Sequence, residues 1–231
     1  MTRPIHVITP IVAEAYDPSD FAGVAGGIAI VCTALQQGPS SIESEYDEAL
    51  AVPEVLKACI AAEPAGAGAI VIYCFGDPGL RPAREAVSIP VVGPGMTSMH
   101  LAASLAQRFS VIGILESVRP MTETLAEQCG VRHKLVSIRM VDMPGLEVLH
   151  EGARLEAALL AQSRLPVEAD HADAIVLGCT GMFGMAERLA AALGGDLPVI
   201  DPITAAVSEA AQMIRLGLTH SKRTSPRPTR L

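Results

Sequence analysis

The sequence predicts an α/β fold of two pseudo-symmetric lobes, each a short parallel sheet flanked by helices. Apolar runs of strand length alternate along the chain with longer segments of helical period. The strand segments are apolar throughout, which is typical of parallel sheets covered on both faces. Half of the residues are hydrophobic, yet only 3% are aromatic and Trp is absent. This composition favours packed α/β layers over a β-sandwich.

Strands are predicted at the short apolar runs. In the first half of the chain these runs are IHVITPI, GIAIVCTA, GAIVIYC and IPVVGP. In the second half they are SVIGIL, KLVSIRMV, DAIVLGC and LPVID. Each half is therefore expected to form a sheet of its own.

Helices are predicted between these strands from apolar residues at helical spacing. The segment PEVLKACIAAE places Pro53 in a first helical turn, where proline is tolerated. Thr97 is a candidate N-cap for the segment TSMHLAASLAQRF. A long Ala- and Leu-rich helix is predicted from about Leu146 to Leu165. The last helix is predicted to reach Leu216, with Gly217 as its stop.

A unit of strand, cysteine, glycine, helix and strand occurs twice. The segment AIVIYCFG at 69–76 reappears as AIVLGCTG at 174–181. The segment IPVVGP at 89–94 reappears as LPVIDP at 197–202. Two such units would give two similar lobes related by a pseudo-twofold axis.

The first lobe is predicted to comprise residues 1–96 plus 206–231, which are the N- and C-terminal segments of the chain. The second lobe is predicted to comprise residues 97–205. The basic tail from His220 onward, HSKRTSPRPTRL, is predicted to be poorly ordered, because charged termini are usually solvated.

Two of the five cysteines occupy matching places in the repeat. Cys74 and Cys179 each follow an apolar strand and precede residues that open a helix, and ligands of parallel sheets bind outside the carboxyl ends of the strands. The free N–H groups of a helix N-terminus favour a thiolate at this position. If the lobes face each other, the two thiols can flank one small molecule. Cys32 in a strand, Cys59 in a helix and Cys129 beside a helix end are interpreted as structural.

Two opposed thiols can invert a stereocentre without a cofactor. A thiolate on one face removes a proton from a carbon acid, while a thiol on the other face returns one. The carbanion next to a carbonyl becomes an enolate, and the backbone amides after each cysteine are placed to hold its oxygen. Gly76 and Gly181 fit that need, because glycine lets the backbone approach a ligand closely.

The motifs together resemble those of the hydantoin racemases of the aspartate/glutamate racemase superfamily, and they are also similar to those of allantoin racemases. The resemblance extends from about Gly38 to Lys222. It implies two α/β lobes with the active site in the cleft between them, no cofactor, and a homo-oligomer. It also implies that Cys74 and Cys179 are the acid/base pair, each serving one enantiomer. The segments that carry it are GPSSIESEYDEALAVPEVLKA, IVIYCFGDPGLRPARE, IPVVG, SMH, RFSVI, IVLGCTGM, PVIDP and LGLTHSK.

The resemblance leaves the substrate open. Relatives open with an Asn-Pro-Asn loop that contributes to substrate recognition, where this chain has Thr9, Pro10 and Ile11. Thr180 stands where hydantoin racemases tend to carry alanine, and Met96 stands where relatives often have an acidic residue. The candidate substrates are a 5-substituted hydantoin, a related ureide such as allantoin, and an acidic amino acid.

Other functions compete with racemisation at this point. The superfamily includes cysteine-dependent cis–trans isomerases, which also keep two cysteines, and an isomerase of this kind stays open. It also includes decarboxylases, which are expected to keep only one, so the pair in this chain argues against that class. A ligand-binding protein without turnover would be expected to lack one of the two cysteines, and neither is absent.

Several side chains near the cysteines are candidates for contact with the substrate. Thr9 is expected to end the first strand on the same edge as the cysteines. Phe75, next to Cys74, can form an apolar wall, although such residues more often serve the core. Thr180 can hydrogen-bond a substrate carbonyl or carboxylate, or cap a helix. Ser41 is a further candidate for substrate contact.

Other polar residues are assigned local roles. Ser40 and Glu43 have the spacing of a helix capping box, although Glu43 is also a candidate for substrate contact. Asp77, close to the first cysteine, can cap the following helix or orient the cysteine loop, and capping is the preferred interpretation. His100 is interpreted as a structural histidine or one that acts through another residue.

Composition and charge exclude several functions. The chain has 17 Lys and Arg against 25 Asp and Glu, a net charge of −8, which argues against a nucleic-acid partner. The cysteines lack CxxC spacing, so neither disulfides nor a zinc cluster are expected, and a reducing cytoplasm is the expected location. No signal peptide, membrane span or membrane partner is expected. No metal-ligand spacing, nucleotide-binding loop or hydrolase elbow occurs. The expected partner is the small molecule that the two thiols would flank.

Overall fold

The computed structural model describes residues 2–21 and 23–229. The residues outside this description, all of them within the predicted first lobe and its basic tail, are Met1, Ala22, Arg230 and Leu231.

The described chain forms two compact units. Unit 1 comprises the segments up to Ile42, from Tyr46 to Pro94, and from Ala206 onward. Unit 2 comprises Glu43–Glu45 and Gly95–Ala205. The middle of the chain therefore forms unit 2, and the segments before and after it belong to unit 1.

Within the described residues, unit 1 contains a four-stranded parallel sheet in the order β2-β1-β3-β4. Its strands are β1 (Ile5–Val12), β2 (Ile30–Leu35), β3 (Ala69–Ile72) and β4 (Val91–Val92). Strand β3 lies between β1 and β4 and is buried along its whole length. Its uniformly apolar sequence is the pattern of a parallel strand that is covered on both faces.

Unit 2 repeats this topology, with the described strands in the order β6-β5-β7-β8. They are β5 (Phe109–Gly113), β6 (Leu135–Met140), β7 (Ala174–Leu177) and β8 (Val199–Ile200), and all neighbours are parallel. Strand β7 takes the place that β3 takes in unit 1, and it is likewise buried throughout. The predicted fold class and the predicted repeat of strand, cysteine, helix and strand are confirmed.

Helices connect the strands in both units. The α-helices are α1 (Glu45–Ala62), α2 (Leu80–Ala86), α3 (Pro94–Leu105), α4 (Arg119–Gln128), α5 (Gly145–His150), α6 (Gly152–Glu168), α7 (Ala186–Ala192) and α8 (Pro202–Leu216). Short 3-10 segments lie at Pro18–Phe21, Glu116–Val118, Arg132–Lys134 and Thr180–Met182. Within the part of the chain that the structure describes, none of these helices combines the length and the hydropathy that crossing a bilayer requires.

Two predicted helix starts are wrong. Helix α1 begins at Glu45, so Pro53 lies inside it rather than in its first turn, and Ser40 is too far upstream to cap it. Helix α3 begins at Pro94, because proline suits the first helical position, and Thr97 therefore lies inside the helix.

The long helix predicted from about Leu146 to Leu165 is two helices, α5 and α6. Glu151 separates them, with φ −105° and ψ 47°, a conformation outside the helical region. Gly152 follows as the first residue of α6. A composition rich in Ala and Leu favours helix on both sides of this junction and cannot locate the break between them.

The end of the last helix is confirmed, and the start of the predicted disordered tail is held by side-chain contacts, contrary to expectation for that part. Gly217 follows α8 with a left-handed φ of 63°. The His220 ring nitrogen Nε2 lies 3.0 Å from the backbone nitrogen of Val91, on strand β4. The Lys222 ammonium donates to the carbonyl of Arg84 near the end of α2, at 2.6 Å. These side chains satisfy backbone groups at a strand and a helix end, which holds the start of the tail on unit 1.

Candidate active site

Cys74 lies two residues beyond the end of β3, in a tight turn. Its backbone N–H donates to the carbonyl of Ile72 at 2.8 Å, and its own carbonyl accepts from the N–H of Asp77 at 3.2 Å. Helix α2 begins only at Leu80, after Gly79 with a left-handed φ of 71°. A helix follows Cys74 as expected, but this turn separates the thiol from the N-terminus of α2.

Cys179 lies at the matching place after β7 and does open a short helical turn. It is the N-cap of the 3-10 segment Thr180–Met182, with an extended backbone at φ −152°. The backbone N–H groups of Gly181 and Met182 hydrogen-bond its sulfur. Two N–H groups at the start of the turn therefore point toward the sulfur, although that of Met182 also donates to the Cys179 carbonyl at 3.1 Å, and this geometry favours a thiolate.

Burial nevertheless dominates the acidity of Cys179. Removal from water raises the pKa of its thiol to about 11, while the N–H groups of Gly181 and Met182 oppose that rise. The negative charge of Glu43 also contributes to this raised value. The expected lowering of the pKa at a helix start is thus outweighed, and Cys179 is a protonated thiol at neutral pH.

Glu43 is placed by a contact that the sequence did not predict. Its Oε1 accepts a hydrogen bond of 2.8 Å from the N–H of Gly145, the first residue of α5. The capping box proposed for Ser40 and Glu43 is therefore wrong, because this carboxylate is bonded to α5 and acts on Cys179. The two partners are about a hundred positions apart in the chain, so no local pattern could have shown the contact.

Gly181 lies in close packing against protein side chains. A methyl group on Gly181 would lie 3.2 Å from Val148 and 3.3 Å from Leu149, both on α5, and 3.5 Å from the sulfur of Cys179. Helix α5 therefore packs directly over the turn that carries Cys179. This packing is one source of the burial that raises the pKa of the thiol.

Thr9 lies inside β1, which continues to Val12, so the expectation that it ends the strand is wrong. It is only 3% exposed, and among the described residues its buried hydroxyl oxygen has no hydrogen-bond partner. Its neighbour Ile8 accepts a hydrogen bond of 2.8 Å from Tyr73, the residue before Cys74. Thr9 therefore lies near the end of β3 in unit 1, with a buried hydroxyl whose hydrogen-bonding capacity is unused.

The other predicted contact residues lie beside the cysteines or in a nearby loop. Phe75 and Gly76 follow Cys74 in its turn, and Phe75 is buried in the core. Thr180 is buried at the start of the 3-10 segment. Ser41 is partly buried in the loop between β2 and α1 of unit 1. The structure thus places Phe75 and Gly76 beside one thiol and Thr180 beside the other.

The remaining cysteines have structural surroundings, as the sequence indicated. Cys32 lies in β2 and Cys59 is fully buried in α1. Burial raises the pKa of Cys32 to about 11 and that of Cys59 to about 12. Cys129 ends α4, and its carbonyl lies 3.0 Å from Nε2 of His100, which agrees with a structural role for that histidine.

Two buried carboxylates also accompany the cysteine loops. Asp77 is 7% exposed, and its carboxylate lies against Gly93, so it does not cap α2 as predicted. Asp201 is also 7% exposed and accepts backbone hydrogen bonds at the start of α8. The repeat aligns IPVVGP with LPVIDP and so places Asp201 opposite Gly93, which is the signal that could have identified it.

The chain resembles known proteins over nearly all of its length. Residues 14–210 match the family model described as Asp/Glu/hydantoin racemase. A hydantoin racemase from Pseudomonas sp. strain NS671 is 40% identical over 193 residues, which cover 84% of this chain and 77% of the relative. The structure of allantoin racemase from Klebsiella pneumoniae matches with a TM-score of 0.90 at 31% identity, covering 98% of this chain and 94% of that one. Allantoin racemase from Pseudomonas fluorescens matches with a TM-score of 0.87 at 28% identity, covering 98% and 97%.

Proposed function

The chain belongs to the Asp/Glu/hydantoin racemase family, and from this membership we propose that it racemises 5-monosubstituted hydantoins by a two-cysteine mechanism. Three relatives that share 38–40% identity with the chain are hydantoin racemases, so the protein is an isomerase of the racemase type. The observation that carries the proposal is the matched pair of thiols, Cys74 and Cys179, each just beyond the end of a buried central strand.

The proposed reaction moves one proton across a ring carbon. Carbon 5 of a hydantoin carries an acidic hydrogen because it is bonded to a ring carbonyl. The thiolate of Cys74 takes that proton and becomes a thiol, and the electron pair moves onto the carbonyl oxygen as an enolate. The thiol of Cys179 then donates its proton to the opposite face and becomes a thiolate. The reverse reaction exchanges the two roles, and the proton balance needs no cofactor.

The surroundings of Cys179 support its part in this scheme. A pKa of about 11 keeps it protonated at neutral pH, as the proton donor must be. The N–H groups of Gly181 and Met182 bond to the sulfur and stabilise the negative charge that forms on it after proton donation. The same two groups therefore lower the barrier for the second proton transfer.

The unpartnered hydroxyl of Thr9 supports a polar ring as the ligand. A buried hydroxyl without a partner is unfavourable, and a bound molecule with a carbonyl or N–H group would satisfy it. A hydantoin ring presents both kinds of group around carbon 5. We therefore propose that Thr9 contacts the ring.

Allantoin is the second candidate substrate. It is a hydantoin with a ureido group on carbon 5, so it offers the same carbon acid with a polar substituent. The allantoin racemase from Klebsiella pneumoniae shares 31% identity with the chain at a TM-score of 0.90, which favours testing it beside alkyl and aryl hydantoins.

The test is isotope exchange with single enantiomers. The protein is incubated in deuterated water with one enantiomer of 5-benzylhydantoin, 5-isopropylhydantoin, allantoin or aspartate, and 1H NMR and chiral chromatography follow the hydrogen and the configuration. A hydantoin substrate should lose its signal and its optical purity together, faster than in a reaction without protein. Exchange with aspartate alone would overturn the proposed substrate class, and exchange with none of the four would overturn the proposed activity.

A further inference from the structure

The two units differ by an exchange of glycine and aspartate at one matched position. Gly93 precedes Pro94, the first residue of α3, in unit 1. Asp201 precedes Pro202, the first residue of α8, at the corresponding place in the repeat. Both helices therefore start with proline after a residue in the N-cap position, but only the second has a carboxylate on that residue.

In unit 2 the Asp201 carboxylate joins two segments. Its Oδ1 accepts hydrogen bonds from the N–H groups of Ile203 at 2.9 Å and Thr204 at 3.1 Å, as an N-cap does. Its Oδ2 accepts a hydrogen bond of 2.9 Å from the N–H of Gly184, in the loop after Cys179. One buried side chain therefore connects the start of α8 to the loop that follows the thiol.

In unit 1 a carboxylate occupies the equivalent place but comes from the other segment. A methyl group on Gly93 would lie 2.5 and 2.6 Å from the two carboxylate oxygens of Asp77. The Asp77 carboxylate thus fills the space that an aspartate side chain on Gly93 would need. Asp77 belongs to the loop after Cys74, so this carboxylate also connects a cysteine loop to a helix start.

The two cysteine loops also share a left-handed glycine at one matched position. Gly79 and Gly184 lie at the same distance in sequence from Cys74 and Cys179, and their φ angles are 71° and 81°. Asp77 has a φ of 55°, a left-handed conformation that is unfavourable for residues other than glycine and is best tolerated by Asp and Asn. In this conformation the Asp77 carboxylate lies against Gly93, the residue before α3.

We propose that Asp77 and Asp201 are equivalent positioning residues, each of which fixes the loop of one cysteine to the neighbouring helix start. They act through the loops and not by contact with the reacting carbon. The proposal rests on the proposed roles of Cys74 and Cys179, because positioning matters for catalysis only if both thiols transfer protons. If the proposal holds, the loop needs a carboxylate at this place in space. That carboxylate can then be carried by either the cysteine loop or the residue before the helix.

The chain permits a direct swap in unit 1. Asp77→Gly removes the carboxylate and suits the left-handed backbone at this position. Gly93→Asp puts a carboxylate on the other segment, as in unit 2, and the backbone of Gly93 is not left-handed. The double variant Asp77→Gly/Gly93→Asp therefore reproduces the arrangement of unit 2, whereas Gly93→Asp alone forces two carboxylates into one space.

The readout is the rate at which iodoacetamide alkylates each thiol, measured by peptide mass spectrometry, which needs no substrate. In Asp77→Gly the rate at Cys74 should change by roughly threefold or more, while that at Cys179 stays within about twofold, because each carboxylate holds only its own loop. The double variant should return Cys74 to about the parental rate. Asp77→Asn keeps the side-chain volume but replaces one acceptor oxygen by an amide donor. It should therefore change the alkylation rate of Cys74 less than Asp77→Gly does.

Asp201→Asn tests unit 2 by the same readout. An amide can accept at one oxygen only, so it can keep the cap on α8 but lose the bond from Gly184. The Cys179 sulfur should then be held less well by the N–H groups of its turn, and its alkylation at about pH 9 should slow roughly threefold. Asp196→Asn, on an exposed residue five positions earlier in the sequence, is the matched control. It should change the alkylation rate of neither thiol.

The proposal would be overturned if, in Asp77→Gly and in Asp201→Asn, both thiols were alkylated at the same rates as in the parental protein. A single-variant change that the Asp77→Gly/Gly93→Asp double variant does not reverse would also overturn it. Racemisation should follow the alkylation pattern, with kcat lost in Asp77→Gly and recovered in the double variant while KM changes little. Persistence of full racemisation in Cys74→Ser would refute the proposed function instead, and the alkylation rates would still decide the positioning roles.

Discussion

Glu43 raises the pKa of the Cys179 thiol while its Oε1 accepts a 2.8 Å hydrogen bond from the N–H of Gly145. One carboxylate therefore both anchors the start of α5 and makes the thiol beneath that helix harder to ionise. Glutamine can separate the two effects, because it keeps an oxygen that accepts from Gly145 but carries no negative charge.

Glu43→Gln should lower the pKa of Cys179 and leave α5 in place. Glutamine retains an oxygen that can accept from Gly145, but it removes the negative charge that opposes the thiolate. The pH dependence of Cys179 alkylation should therefore move to lower pH, which peptide mass spectrometry can follow. Glu168→Gln, on an exposed residue of α6, is the control and should leave the profile unchanged. An unchanged profile in Glu43→Gln would contradict the electrostatic role of Glu43.

Thr9→Val should increase stability and reduce activity. The buried Thr9 hydroxyl has no partner, so its replacement by a methyl group of similar shape should stabilise the fold by about 1 kcal/mol in urea unfolding. Loss of the proposed contact with the hydantoin ring should raise KM by roughly tenfold.

Thr122→Val is the matched control for this prediction. The Thr122 hydroxyl is also buried, but it donates to the carbonyl of Val118 at 3.0 Å. Its removal should destabilise the fold by about 1 kcal/mol and leave KM unchanged. An unchanged KM in Thr9→Val would exclude Thr9 from substrate binding. A gain in stability would then reflect only the loss of the unpaired hydroxyl.

His220 should make stability depend on pH. Burial and, to a lesser extent, the positive charges of Arg84 and Lys222 together lower the pKa of His220 to about 4, against the opposing effect of the hydrogen bond to Val91. Because the folded pKa is below the value of an unfolded histidine, the neutral ring is favoured by folding. The contribution is fully present above about pH 6.5 and is lost as the pH falls toward 4.

His220→Gln is the variant that checks this linkage. It should lower the free energy of unfolding by about 1 kcal/mol at neutral pH, because the bond to strand β4 is weakened. It should also reduce the loss of stability between about pH 6.5 and 4.5 that the parent shows in urea titrations. His133→Gln, on an exposed histidine, serves as the control. Parallel pH profiles for the parent and His220→Gln would show that the ring does not couple folding to protonation.

The sequence predicted those features that depend on local pattern. Apolar runs located the strands, and the repeated motif placed Cys74 and Cys179 at matching strand ends, which the structure shows. Helix starts were less predictable, because the interior of α1 and α3 has the same periodicity as their first turns. The break at Glu151 lies in a segment whose composition favours helix throughout.

The contacts around the thiols could not be read from local pattern, because they join distant segments. The Asp77 carboxylate lies against Gly93, and Glu43 bonds to Gly145 on α5. The predicted lowering of the Cys179 pKa is wrong for the same reason. A helix start predicts a lower pKa, but packing by distant side chains removes water from the thiol, and desolvation outweighs the N–H groups.

The most direct test of the account is the fate of single hydantoin enantiomers with Cys74→Ser and Cys179→Ser in deuterated water. Each variant keeps one thiol, which can remove and return a proton on its own face only. Each should therefore exchange the hydrogen of one enantiomer with retention, the two variants acting on opposite enantiomers, and neither should invert the centre. Cys32→Ser, on a cysteine of strand β2, should racemise like the parent. Racemisation at the parental rate by either Cys74→Ser or Cys179→Ser would contradict the two-cysteine mechanism.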